Sequence, residues 1–130
     1  EHVIAKEVEE AMQIATEKTG ARVNEFTVAP QITPANNELP FHEWLVEFET
    51  LPEDMLVFAE ILDKAMQLQN SYYDDLISGK ILQTLKITPI KIGGFRDYMK
   101  AIGKLGGQNK VQRLANDRKV AEKLEDYRLA

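Results

Sequence analysis

A chain of 130 residues, 44% of them apolar, fits one ordinary domain built around a single continuous core. It holds no cysteine, which excludes disulfides, thiolate metal sites, iron-sulfur clusters and a cysteine nucleophile. The net charge of -5 is unevenly spread, because residues 1–79 carry 4 Lys/Arg against 16 Asp/Glu while residues 80–130 carry 12 against 5.

In chain order, Ile4, Val8, Ala11, Met12 and Ala15 fall on one helical stripe, and Gly20 stops the helix they predict. Residues 21–32 turn to β-rich types, with Phe26, Val28 and Ile32 on one parity and Pro30 and Pro34 closing a first strand. Residues 34–40 read as a connecting loop. Trp44, Val46 and Phe48 then alternate with Leu45, Glu47 and Glu49, which predicts a second strand with one buried face. Thr50 and Glu53 have the spacing of a capping box, and Met55, Phe58, Ala59, Leu62, Ala65 and Met66 repeat as the strongest helix of the chain. Residues 70–79, with Tyr72, Tyr73, Asp74 and Asp75, suit either a helical extension or an ordered connector. Residues 81–92 are rich in Ile, Leu and Thr and predict a third strand, its end pushed towards a sheet edge by Pro89. A short helix follows on Phe95, Tyr98, Met99 and Ile102, with Gly103 as its C-cap. A loop over residues 104–115 leads to a last helix with Asn116 as N-cap. Strand, helix and strand over residues 41–92 suggest a right-handed crossover. The expected class is α+β, a small three-stranded mixed sheet covered by helices, with residues 1–130 as one domain.

The inventory for chemistry is thin. Two serines and two histidines show no triad spacing. His42 and Glu43 begin like a metalloprotease motif, but Val46 stands where the second histidine belongs, so no metal site is expected. His42 reads instead as a polar residue at a strand start, and the Tyr72–Asp75 cluster as tyrosines packing a helix end. The exception is residues 103–116, GKLGGQNKVQRLAN, inside the basic segment. Its glycines let backbone amides turn towards an anion, and Lys110 is a mobile point charge suited to phosphate oxygens. The glycine-lysine-serine/threonine order of a P-loop is missing, so the loop is not expected to hold a nucleotide unaided. On spacing alone, a flexible connection between helices is the competing reading.

The block Gly106-Gly107-Gln108-Asn109-Lys110-Val111-Gln112-Arg113-Leu114 resembles the glycine-glycine-glutamine-x-lysine-x-proline-arginine-leucine signature of the auxin-responsive acyl-acid amido synthetases, a branch of the adenylate-forming acyl ligases. The similarity extends through His42-Glu43-Trp44-Leu45-Val46-Glu47-Phe48, Asn70-Ser71 with Tyr73, and Phe95. Gln112 departs from it by standing at the usual proline. The resemblance implies the C-terminal lid of a two-domain ligase, whose N-terminal domain binds ATP, with Mg2+, and a carboxylic acid. That family forms an acyl adenylate with release of pyrophosphate and passes the acyl group to an amine, usually of an amino acid. It further implies that Lys110 approaches the nucleotide phosphate during adenylation, that Gly106, Gly107, Gln108 and Asn109 place it, and that Arg113 fixes the loop or adds charge.

The expected partners are therefore the N-terminal domain of the same chain and the two substrates. Neither a membrane nor a nucleic acid is expected, the acidic remainder of the chain opposing the basic segment. The lack of cysteine makes the cytoplasm the expected compartment. A start without the basic and apolar regions of a signal peptide, with no run of ~20 apolar residues, leads to the expectation of a soluble protein. A start without methionine fits a boundary inside a longer protein. A freestanding ligand-sensing or interaction module is the alternative.

Overall fold

The computed structural model describes residues 3–104 and 110–129. The first helix, α1 (Ala5–Thr19), turns Val8, Ala11, Met12 and Ala15 inward. Gly20, at φ 78°, ends it with an N–H bond to the Thr16 carbonyl. Strand β1 (Arg22–Gln31) follows, then a 3-10 turn over Ala35–Asn37, and strand β2 (Phe41–Thr50) returns antiparallel to β1. Helices α2 (Met55–Gln69) and α3 (Ser71–Ser78) lead to β3 (Lys86–Ile90), which lies parallel to β2. The order β1-β2-β3 makes a mixed sheet, as the strand-helix-strand passage requires.

Helix α4 (Gly94–Ala101), the short α5 (Lys119–Lys123) and a 3-10 turn (Leu124–Tyr127) complete the chain. Gly103 closes α4 in the left-handed region at φ 74°, where its N–H reaches the Lys100 carbonyl. Residues 70–79 are helical because the Asn70 side chain accepts from the Tyr73 N–H and starts α3 afresh after α2.

Two clusters of buried side chains lie on opposite faces of the sheet. On one face α1, α2 and α3 pack Met12, Phe58, Leu62 and Tyr73 against Phe26, Trp44, Val46 and Phe48. On the other, Phe95, Tyr98, Val111 and Leu124 close over Ala29, Leu45 and Ile90. Strand β2 is therefore buried on both faces, against the single buried face expected from its alternation. The alternate set includes Leu45 and Glu47, and helices cover it once the C-terminal elements fold back.

Three further expectations are corrected. The cap of α2 is Asp54, whose carboxylate accepts from Leu56 and Val57 N–H at 3.0 and 3.2 Å, while Thr50 is the last residue of β2. The last helix starts after Arg118, where Asp117 accepts from the Lys119 N–H and Asn116 caps nothing. The third strand covers only Lys86–Ile90, because the approach to it bonds elsewhere: Ile81 and Leu82 N–H to the Leu76 carbonyl, and Leu85 N–H to Asp63.

Both outer strands are covered by the C-terminal part of the chain. Val28 N–H donates to the Arg113 carbonyl at 2.9 Å and Ala115 N–H to the Val28 carbonyl at 2.8 Å, which lays residues 113–115 along β1. Leu129 N–H reaches the Pro89 carbonyl, and Lys91 N–H the Tyr127 carbonyl, so the end of the chain pairs beside β3. Each outer strand of the three-stranded sheet is thereby paired at one bridge along its edge, Val28 with Leu114 and Ile90 with Arg128.

Candidate functional site

The site takes shape where this edge segment begins. Lys110 is exposed and immediately precedes the buried Val111, which inserts among Phe95 and Tyr98. Next, the Gln112 carbonyl accepts from the buried Thr27 hydroxyl. Arg113 then makes four contacts. Its guanidinium donates to Glu9 of α1 at 3.2 Å, to the Glu25 carboxylate, and to the Phe26 carbonyl at 2.9 Å, while lying 4.4 Å over the Phe26 ring. A side chain held by two carboxylates, a carbonyl and a ring has little freedom left, so Arg113 anchors the segment. Gln112 is held through its carbonyl, a group that proline also possesses, so this attachment survives the departure from the family signature.

Lys110 opens onto a cleft of about 280 Å³ whose walls include Asn24, Glu25, Glu47, Arg96 and Val111. Of these, Glu47 is only 6% exposed although it carries a carboxylate. One Glu47 oxygen accepts from the Phe95 N–H at 3.2 Å, and the other from the Asn24 amide at 3.1 Å. Helix α4 has no side-chain cap of its own, so Glu47 supplies from the sheet the negative charge that its N-terminus favours. Asn24 meets it because the register slips there: Val23 pairs with Phe48 and Glu25 with Glu47, leaving Asn24 as the extra residue of a bulge.

The start of α4 also presses against its neighbours. A Cβ on Gly94 would stand 2.5 Å from Ile90 Cγ2 and 3.1 Å from Tyr127 Cβ, so only glycine lets the helix approach this closely. Burial pushes the Tyr98 hydroxyl of the same helix above the usual tyrosine range.

Of the residues expected at the site, Lys110 and Arg113 sit three positions apart in very different settings, one open and one locked. Gly106, Gly107, Gln108 and Asn109 lie outside the described residues. His42 is buried and stacks on Tyr73 at 5.5 Å between ring centres, and Tyr73 donates to the buried Asp63. His42 stands at the start of β2, as expected, but is buried there, and of the two tyrosines Tyr73 packs into the core while Tyr72 is exposed. Among the described residues, no group of three His, Asp or Glu side chains is placed to hold a metal ion, and no helix is long and apolar enough to cross a membrane.

The family model for the GH3 family C-terminal domain matches residues 6–119. The chain belongs to this family. No curated protein matches it. Among solved GH3 structures, it is similar to the acyl acid amido synthetase GH3.15, at 17% identity and a TM-score of 0.71 over 96% of this chain. It is similar also to AtGH3.15 acyl acid amido synthetase in complex with 2,4-DB, at 17% identity and a TM-score of 0.70. The likeness bears out the expected α+β fold. It covers only 23% and 24% of those chains, so this GH3 domain spans about a quarter of the length of the proteins it matches.

Three residues that line the cleft beside Lys110 were not singled out in the sequence: Asn24, Glu47 and Arg96. Glu47 left a faint signal as the one carboxylate within the otherwise apolar stretch Trp44–Phe48. Asn24 left none, since a bulge has no signature apart from the partner strand.

Proposed function

We propose that this domain is the lid of a cytoplasmic, ATP-dependent acyl-acid amido synthetase, and that Lys110 is its catalytic residue. In the first step a carboxylate oxygen attacks the α-phosphorus of ATP, the bond to the bridging oxygen breaks, and pyrophosphate leaves with that electron pair. In the second, an amine nitrogen attacks the acyl carbon, the bond from that carbon to the phosphate oxygen breaks so that AMP departs with the electron pair, and the nitrogen loses a proton to solvent, giving an amide. Negative charge builds on the phosphoryl oxygens and on pyrophosphate in the first step. A cation delivered by closure of the lid stabilises that charge where water is excluded.

The single observation that supports this reading is the contrast between Lys110 and Arg113. Arg113 spends its charge on Glu9 and Glu25, whereas Lys110 projects from the anchored segment, exposed and with no ion pair among the described residues. Gly106, Gly107, Gln108 and Asn109 complete the proposed loop by sequence. ATP and its Mg2+ would be held chiefly by an N-terminal domain, because the described residues offer hydrogen-bond donors and cations but no cluster of metal-binding carboxylates. The domain alone is accordingly expected neither to hydrolyse ATP nor to bind it at micromolar concentration.

The test is carboxylate-dependent exchange of labelled pyrophosphate into ATP by the full-length protein across a panel of acids. Lys110→Ala is expected to slow exchange by about a hundredfold, the equivalent of ~3 kcal/mol, while the fold persists. An unchanged rate would remove Lys110 from the mechanism.

A further inference from the structure

The cleft beside Lys110 contains a second cation that the family signature does not include. Arg96 occupies the first turn of α4, is exposed, and lines the same cleft. Neither Arg96 nor Lys110 has a carboxylate partner among the described residues. The two carboxylates that line the cleft with them are already engaged. Glu25 accepts from Arg113 and from the Phe26 N–H, and Glu47 accepts from Asn24 and from the Phe95 N–H.

The charge pattern of α4 sharpens the point. Lys100 follows Arg96 by four positions on α4, while Lys104 lies past the end of the helix at Gly103, and neither lines the cleft. Like charges at that spacing repel, and no salt bridge relieves them among the described residues. Two cations lining one cleft, neither with a carboxylate partner among the described residues, suit an anion with several oxygens, larger than one carboxylate.

Resting on the reading of Lys110 as the lid lysine, we infer that Arg96 is a second catalytic cation, which grips the β- and γ-phosphates of ATP as they become pyrophosphate. The division of labour follows from the side chains. Arg96 presents a planar fork able to hold two phosphate oxygens at once, whereas Lys110 is a flexible point charge that follows the charge moving away from the α-phosphorus. Glu47 fixes the fork's position by tying the first turn of α4, through the Phe95 N–H, to strand β2. No bond forms or breaks at Arg96. The pyrophosphate leaves with its electron pair, and the guanidinium stays protonated throughout.

The experiment compares Arg96→Ala, Arg96→Lys and Lys110→Ala in the full-length protein by pyrophosphate exchange. Transfer from a preformed acyl adenylate to the amine, which uses no triphosphate, is measured beside it. Arg96→Ala is expected to lower kcat/KM for ATP by about tenfold to a hundredfold, with Arg96→Lys recovering only part because the fork is lost. The loss should be confined to the ATP-consuming step. Exchange by Arg96→Ala within twofold of the parent, while Lys110→Ala is crippled, overturns the role of Arg96 and leaves the lid reading standing. Exchange untouched by either variant overturns both. Equal losses in exchange and transfer also overturn the assignment, since they would place Arg96 in the support of the domain and not on the polyphosphate.

Discussion

Arg113 meets Phe26 twice: its guanidinium donates to the Phe26 carbonyl at 2.9 Å and lies 4.4 Å above the ring of the same residue. The side chain is thereby aligned with β1, and the segment starting at Lys110 is drawn along the strand edge. Arg113→Ala should destabilise the domain by about 1–3 kcal/mol, because Glu9, Glu25 and the Phe26 carbonyl all lose a donor. Arg113→Lys should recover little, since an ammonium neither forks nor stacks in the same way. Urea unfolding of the two variants checks both statements, and equal recovery by lysine would reduce the latch to a simple charge.

Glu47 ties a bulge, a strand and a helix together. Glu47→Ala strands the Asn24 amide and the Phe95 N–H and is expected to cost about 2–3 kcal/mol. Glu47→Gln keeps one acceptor oxygen, and should cost less in unfolding while still disturbing the α4 turn that carries Arg96. Thermal unfolding together with hydrogen exchange at the first turn of α4 separates the two effects. Protection there that is unchanged in Glu47→Ala would refute the capping role.

Asp63 is 2% exposed and accepts three bonds, from the Tyr73 hydroxyl, the Leu85 N–H at 3.1 Å and the Gln67 amide at 2.6 Å. It joins α2 to α3 and to the approach of β3. Asp63→Ala should cost about 3–5 kcal/mol, since buried donors lose a charged acceptor. Tyr73→Phe should cost less, and the double variant should fall short of the sum by about 1 kcal/mol or more. A double-mutant cycle by denaturant unfolding measures this coupling, and strict additivity would dissociate the two residues.

Local pattern alone determined a good part of this protein. The stripe of α1, the periodicity of α2, the capping of α4 by Gly103 and the strand-helix-strand passage were all legible, because helix period, strand period and glycine conformation are properties of neighbours in the chain. Tertiary structure decided the rest. It buried both faces of β2, moved the cap of α2 to Asp54, and turned residues 113–115 from a loop into a partner for β1. It also separated Lys110 from Arg113 in setting, giving one to solvent and the other to Glu9, Glu25 and Phe26. The physical reason is common to these cases. Whether a carboxylate caps a helix or a lysine stays free depends on which polar group the fold brings within 3 Å, and residues as distant as Glu9 and Arg113 meet only after the sheet has closed.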